Sequence, residues 1–327
     1  MRDENLVERT IRATNHCRAA LMAGYTTYRD LGTEGASDSD VHVRDAINRG
    51  LIPGPRIFCA TECLASSGGY ELRIESRGNG TAVPRISDPC DGVDGVRAAV
   101  RRRLGPNWPG CPGIVHPPGQ GTAVDERNNP NVLLFTQEEM DAIVAEARVA
   151  KAPVASHAQS PEAVIMACKA GVTSVEHGFI RSSEAVKAMR DHGVIFVPTL
   201  AVLEMYIPME GPFAQTREAH ESGVKMACGG DTGAFAHGEN AREMELMIQA
   251  GLPVKEVLAA ATLHGFDACG GEEGCGRKFG RIEEGWAADI VALDGNPTED
   301  VKYLRKVDFV MKDGVVYKQN GKSMMSP

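Results

Sequence analysis

Several absences narrow what this chain can be. No apolar stretch approaches the roughly 18 residues of a membrane helix, so no membrane span is expected. There is no basic excess: 35 Lys and Arg face 44 Asp and Glu, for a net charge of −9. Phosphate binding needs a basic face, so nucleic acid is not an expected partner. The run Arg101–Arg103 reads as the solvated last turn of a helix. No C-x-x-C pair occurs among the nine cysteines, and their number is odd. Zinc ribbons and disulfide scaffolds are therefore not expected, and a reducing, cytoplasmic compartment fits. Cys59, Cys168 and Cys228 lie in apolar runs and read as small core residues. The opening MRDENLVERT has no apolar core of the signal-peptide kind.

What is present is an ordinary globular composition, 43% hydrophobic and 24% charged over 327 residues. That length suits one barrel with appendages, or two domains. Helix-period and strand-like segments alternate. Helices are expected over 4–22, 40–49, 137–150, 161–170 and 183–191, with two more over 239–250 and 253–264. Thr136 and Glu139 form a T-x-x-E capping box, and Ser160–Pro161 supplies a cap followed by proline at the first helical position. Strands are expected at 24–30, 55–60, 152–158, 171–178, 194–200 and 223–233. Repeated β-α units argue for a parallel sheet. Six such strands are counted, where a closed barrel wants eight. The tail reads differently: Gly280–Leu293 and Val307–Lys318 are strand–turn–strand patterns, the second with a D-G turn at 313–314. From Gly105 to Pro130 the chain is dense in Pro, Gly and Asn, with strand character only at 113–115.

Three of the strand-like runs end in metal-capable side chains: His157, His177 and Asp231. An α/β barrel gathers its catalytic groups at that end of its strands. Two neutral imidazoles and a carboxylate suit a divalent metal such as zinc. Singly, each has a plainer reading, as a packed histidine or a turn aspartate. His237, six residues beyond Asp231, is a candidate to touch substrate or orient a ligand. Tyr70 is a candidate to line a pocket, against a plain turn. His16 and His42 fall on helices and are expected to be solvated, and His116 to sit on a surface loop.

An ordered set of short signatures then carries a resemblance. It runs A-G-Y-T-T-Y-R-D-L-G at 23–32, I-P-G-P-R at 52–56, S-S-G-G-Y at 66–70 and F-T-Q-E-E at 135–139. It continues with A-S-H-A at 155–158, V-E-H-G at 175–178, V-P-T-L at 197–200 and G-G-D-T-G at 229–233, and ends with A-A-D-I-V-A-L-D at 287–294 and V-M-K-D-G at 310–314. The chain resembles the metal-dependent amidohydrolase superfamily, in its prolidase-like and imidazolonepropionase-like branch. The resemblance implies an α/β fold, a distorted or incomplete (β/α)8 TIM barrel over 1–278, with a partial β-sandwich over 279–327. It implies His157 and His177 as metal ligands, and Asp231 as ligand and proton shuttle. It implies a small-molecule amide substrate, a divalent metal, zinc by preference, and a possible homo-oligomer.

Two of the family's features are missing from the sequence. No H-x-H occurs, although the family places that pair on its first barrel strand. The lysine-bearing fourth strand is also not recognisable near 104–112. One metal or none is the expectation, where intact relatives hold two. The leading reading is hydrolysis of an acyclic amide or peptide-like C–N bond. A cyclic-amide hydrolase fits the same residues, and so does a non-catalytic remnant of such an enzyme.

Overall fold

A computed structural model describes residues 4–67, 86–104 and 133–325. The expectations for Tyr70, His116 and the 105–130 stretch lie outside those residues.

The chain opens on α1 (Leu6–Met22), capped by the Asn5 side chain. Strand β1 (Thr27–Asp30), helix α2 (Ser39–Asn48) and strand β2 (Arg56–Cys59) follow, and β1 pairs with β2 in parallel. A second parallel pair, β3 (Cys63–Ala65) with β4 (Ser87–Pro89), was not expected. Three-residue strands are too short to show a period. Helix α3 (Gly92–Leu104) ends on Arg101–Arg103, of which Arg101 and Arg102 are exposed as expected and Arg103 is not. Arg103 is 8% exposed and binds the Asp88 carboxylate at 2.9 Å, with Arg102 on the same oxygen at 2.8 Å.

Next come α4 (Gln137–Val149), β5 (Ala155–Ala158), α5 (Pro161–Ala170), β6 (Ser174–His177), α6 (Ser183–His192) and β7 (Ile195–Val197). The capping box forms on both sides: Glu139 N–H donates to Thr136 Oγ1, and Thr136 N–H donates to the Glu139 carboxylate. Strands β5, β6 and β7 make a parallel sheet in that order. Helices α4 to α6 bury Val144, Ala147, Val164, Ala167 and Met189 in one core with Val175 and Phe196 of the sheet.

Beyond β7 the expected strand to 200 stops short, and α7 (Leu200–Leu203) begins instead. Helix α8 (Glu210–Glu221) leads to the run expected to be the Asp231 strand. Only Met226 forms a bridge there, parallel to Phe196. Helices α9 (Ala241–Gln249), α10 (Val254–Ala260), α11 (Leu263–Ala268) and α12 (Gly271–Cys275) follow. The expected single helix over 253–264 is broken at Thr262, whose ψ of −89° leaves helical space.

The tail is antiparallel: β8 (Ile290–Leu293), β9 (Val307–Lys312), β10 (Val315–Gln319) and β11 (Lys322–Ser323), in the order β11-β10-β9-β8. The Asp313–Gly314 turn joins β9 to β10 as expected, whereas Gly280–Leu293 supplies one strand, not two. Val307 and Val310 of β9 bury against Leu21 of α1, so this sheet rests on the first helix. No helix among the described residues is long and apolar enough to cross a membrane.

Candidate active site

The pleat of β5 and β6 works against a pair of histidines. His157 lies beside Glu176 and His177 beside Ala158. Side chains alternate between the faces of a strand, so a regular pleat would send the two rings to opposite sides. His177 escapes this by adopting a left-handed backbone, with φ of +74°. Histidine is among the few non-glycine residues that enter this region with some frequency. The rings then meet edge to face, with centroids 4.4 Å apart. Gly178 makes the turn possible, because a Cβ there would sit 2.9 Å from the Phe196 ring.

The His177 ring is fixed from behind. Its Nδ1 lies 2.8 Å from Thr199 Oγ1, and Thr199 is itself buried with a left-handed φ of +52°. Thr199 stands at the N-cap of α7, where a threonine hydroxyl ordinarily satisfies a helix N–H. Here it makes no such bond. Glu243, fully buried on α9, does so instead, accepting from Leu200 N–H at 3.0 Å and Ala201 N–H at 2.7 Å. Burial pushes the Glu243 carboxyl up to about 8 against the pull of those two bonds, and the nearby Asp231 adds to the rise.

Burial pushes the His157 imidazole well below its ordinary value, and the neighbouring His177 adds to this. A neutral ring is the form that offers a lone pair to a metal. Asp231 also adopts a left-handed φ, +59°. It is exposed at its surface, yet burial raises its carboxyl above the usual range. Its charge is felt at Glu176 and Glu243. The structure thus brings His157 and His177 together. Among the described residues it does not gather three or more His, Cys, Asp or Glu side chains into a metal-holding group, so Asp231 stands apart from the pair.

Below the histidines lies a buried ion pair that the sequence reading missed. Arg29 of β1 donates to Glu176 of β6 at 2.8 Å, to Ser174 Oγ at 2.8 Å and to the Ala268 carbonyl at 3.1 Å. The side chains are 11% and 3% exposed. A charged residue inside each strand-like run was the available signal, as was Glu243 on the apolar stripe of α9 with Leu246 and Met247.

His237 lies beyond Asp231, as expected of a loop residue, but it is partly enclosed. It stacks on His16 of α1 with centroids 4.4 Å apart, so His16 is not the solvated residue expected, whereas His42 is exposed. Asn240 ties this loop down, donating to Tyr28 Oη and Thr232 Oγ1, both at 2.8 Å. The His237 Nδ1 is buried with no hydrogen-bond partner.

Burial, then His16, push the His237 imidazole from 6.5 down to about 4. The fold therefore disfavours its charged form. Its contribution to stability is full above pH 6.5 and is lost as pH falls from there through about 4. With its partial exposure discounted, roughly 1–2 kcal/mol is expected to be at stake. His237→Gln should flatten that share of the acid loss, read as the drop in urea midpoint between about pH 7 and about pH 4.

The chain is similar to known proteins. Ochratoxinase of Aspergillus niger is 27% identical over 344 residues, covering 95% of this chain and 69% of that protein. Its crystal structure superposes with a TM-score of 0.78 at 28% identity, over 95% of this chain and 76% of that one. A crystal structure of a Xaa-Pro dipeptidase with bound methionine in the active site gives a TM-score of 0.80 at 33% identity, over 94% of this chain and 79% of that one. The Amidohydrolase family pattern matches residues 7–317. With that match spanning nearly its whole length, the chain belongs to the amidohydrolase family, hydrolases that act on carbon–nitrogen bonds.

Proposed function

We propose that this protein hydrolyses an acyclic amide, of the acyl-amino-acid or dipeptide kind, at the mouth formed by the ends of β5, β6 and the Asp231 run. The observation that carries the reading is the His157–His177 pair, 4.4 Å apart at the ends of neighbouring parallel strands. The donor chemistry fits a divalent metal: two imidazoles, one of them held neutral by burial. His157 and His177 would hold it; Asp231 stands apart from them in this structure and would have to approach the pair to serve as the carboxylate of the set, for which zinc is the favoured metal. When bound, the metal lowers the pKa of a water toward neutrality and polarises the scissile carbonyl.

The chain's own residues do the rest. Thr199 holds the His177 ring at Nδ1 and so fixes the direction of its other nitrogen. Asp231 takes a proton from the attacking water at its carboxylate and returns it to the leaving amine. His237 and Tyr70 are proposed to contact the substrate. The parallel strands are read as part of an incomplete (β/α)8 barrel, over 1–278, and the antiparallel tail as a partial sandwich over 279–327.

The test is hydrolysis of a panel holding acyl amino acids, dipeptides and a lactam, with zinc content measured on the same protein. Zinc-dependent cleavage of the acyclic members at no more than about one zinc per chain is expected. Preference for the lactam would move the assignment to cyclic amides. No zinc and no cleavage of any member would favour the non-catalytic remnant.

A further inference from the structure

Apart from the site, two cysteines near the end of α11 are arranged as a pair. Cys269 follows α11, and Cys275 closes α12. The segment between them is Gly-Gly-Glu-Glu-Gly, and it doubles back tightly. Gly270 and Gly271 take φ of +97° and +60°, conformations that glycine enters without steric cost. A Cβ on Gly270 would sit 3.0 Å from the Gly274 Cα, and one on Gly274 would sit 3.1 Å from the Cys269 carbonyl. Only glycine lets α12 lie this close to the end of α11.

The fold back carries the Cys275 thiol onto Cys269. Cys275 Sγ donates to the Cys269 carbonyl at 3.2 Å. Both residues pack into one apolar cluster with Phe58, Phe266 and Phe279. Cys269 is 4% exposed, while Cys275 is partly open to solvent.

We propose that Cys269 and Cys275 form a reversible intramolecular disulfide, with a hydroperoxide as oxidant. The Cys275 sulfur attacks one peroxide oxygen, the O–O bond breaks, and water (or the alcohol of an organic hydroperoxide) leaves, with a sulfenic acid on Cys275. The Cys269 thiolate then attacks that sulfur, the S–S bond forms, the S–O bond breaks, and a second water leaves. Two thiols lose two electrons and two protons, and one hydroperoxide is reduced. A hydrogen bond from the Cys275 thiol lowers the Cys269 thiol from its ordinary value, outweighing burial, and Arg29 assists. Of these, Arg29 still acts on Cys269 once Cys275 is a sulfenic acid, and it favours the thiolate, the attacking species of the second step. The position matters as well, since Arg29 holds the carbonyl of the adjacent Ala268.

The experiment treats the intact chain with hydrogen peroxide, blocks residual thiols, and reads peptide masses after trypsin. Peptide 256–277 holds both cysteines and no other. It is expected to lose about 2 Da and to regain it with dithiothreitol. Cys275→Ser, checked for folding by circular dichroism, should show no such loss. The proposal is overturned if peptide 256–277 stays reduced while other cysteines oxidise. It is also overturned if that peptide gains only sulfinic or sulfonic oxygens, or cross-links to a different cysteine. The wild-type measurement decides the matter even if the variant misfolds.

Discussion

Replacing His177 by asparagine is expected to lower kcat/KM for an acyclic amide by about a thousandfold or more. Asparagine is the informative substitution because the backbone there is left-handed, at φ +74°, and asparagine tolerates that region. Alanine would mix loss of the imidazole with backbone strain. The variant should unfold near the parent's urea midpoint, since the ring packs mainly on His157 and Thr199. His157→Ala should give the same kinetic loss. Zinc content measured beside the kinetics separates a lost ligand from a lost proton carrier: both histidine variants should lose metal. Full activity in either variant would remove that residue from the site.

The second large effect concerns folding. Arg29→Met leaves the Glu176 carboxylate buried at 3% exposure without its guanidinium. Breaking a buried pair from one side costs about 3–5 kcal/mol, because the remaining charge is uncompensated. Arg29 also holds Ser174 and the Ala268 carbonyl, so three elements lose a common anchor. Pairing the change with Glu176→Leu should recover much of the loss, since an apolar replacement of both partners removes the stranded charge. Urea unfolding of the parent, the single variants and the double variant makes the comparison. A cost below about 1 kcal/mol for Arg29→Met would place this pair among ordinary surface contacts.

Much of the fold was legible because its signals are local. The Thr136–Glu139 box, the Ser160–Pro161 start and the Asp313–Gly314 turn each depend on a few adjacent residues, and each forms as read. Long periodic helices such as α1 and α4 were legible for the same reason. The misses are non-local or too short. The β3–β4 pair has no period to read, and the Arg103–Asp88 contact joins residues that only the fold brings together. At the site, the residue types His157, His177 and Asp231 were visible, but their register was not. Nothing in A-S-H-A and V-E-H-G says that the strands pair one residue out of step, or that a backbone flip restores the meeting. Glu243 and Arg29 were hidden because their roles are set by partners 42 and 147 residues away.

His177, Thr199 and Asp231 all hold a conformation that glycine would hold at ease. Each such residue costs on the order of 1–3 kcal/mol. A lineage that no longer used this mouth would gain heat resistance by letting glycine in at any of the three. Under the proposed function, a ring, a hydroxyl and a carboxylate at these three strained positions are kept under tension because the tension is useful.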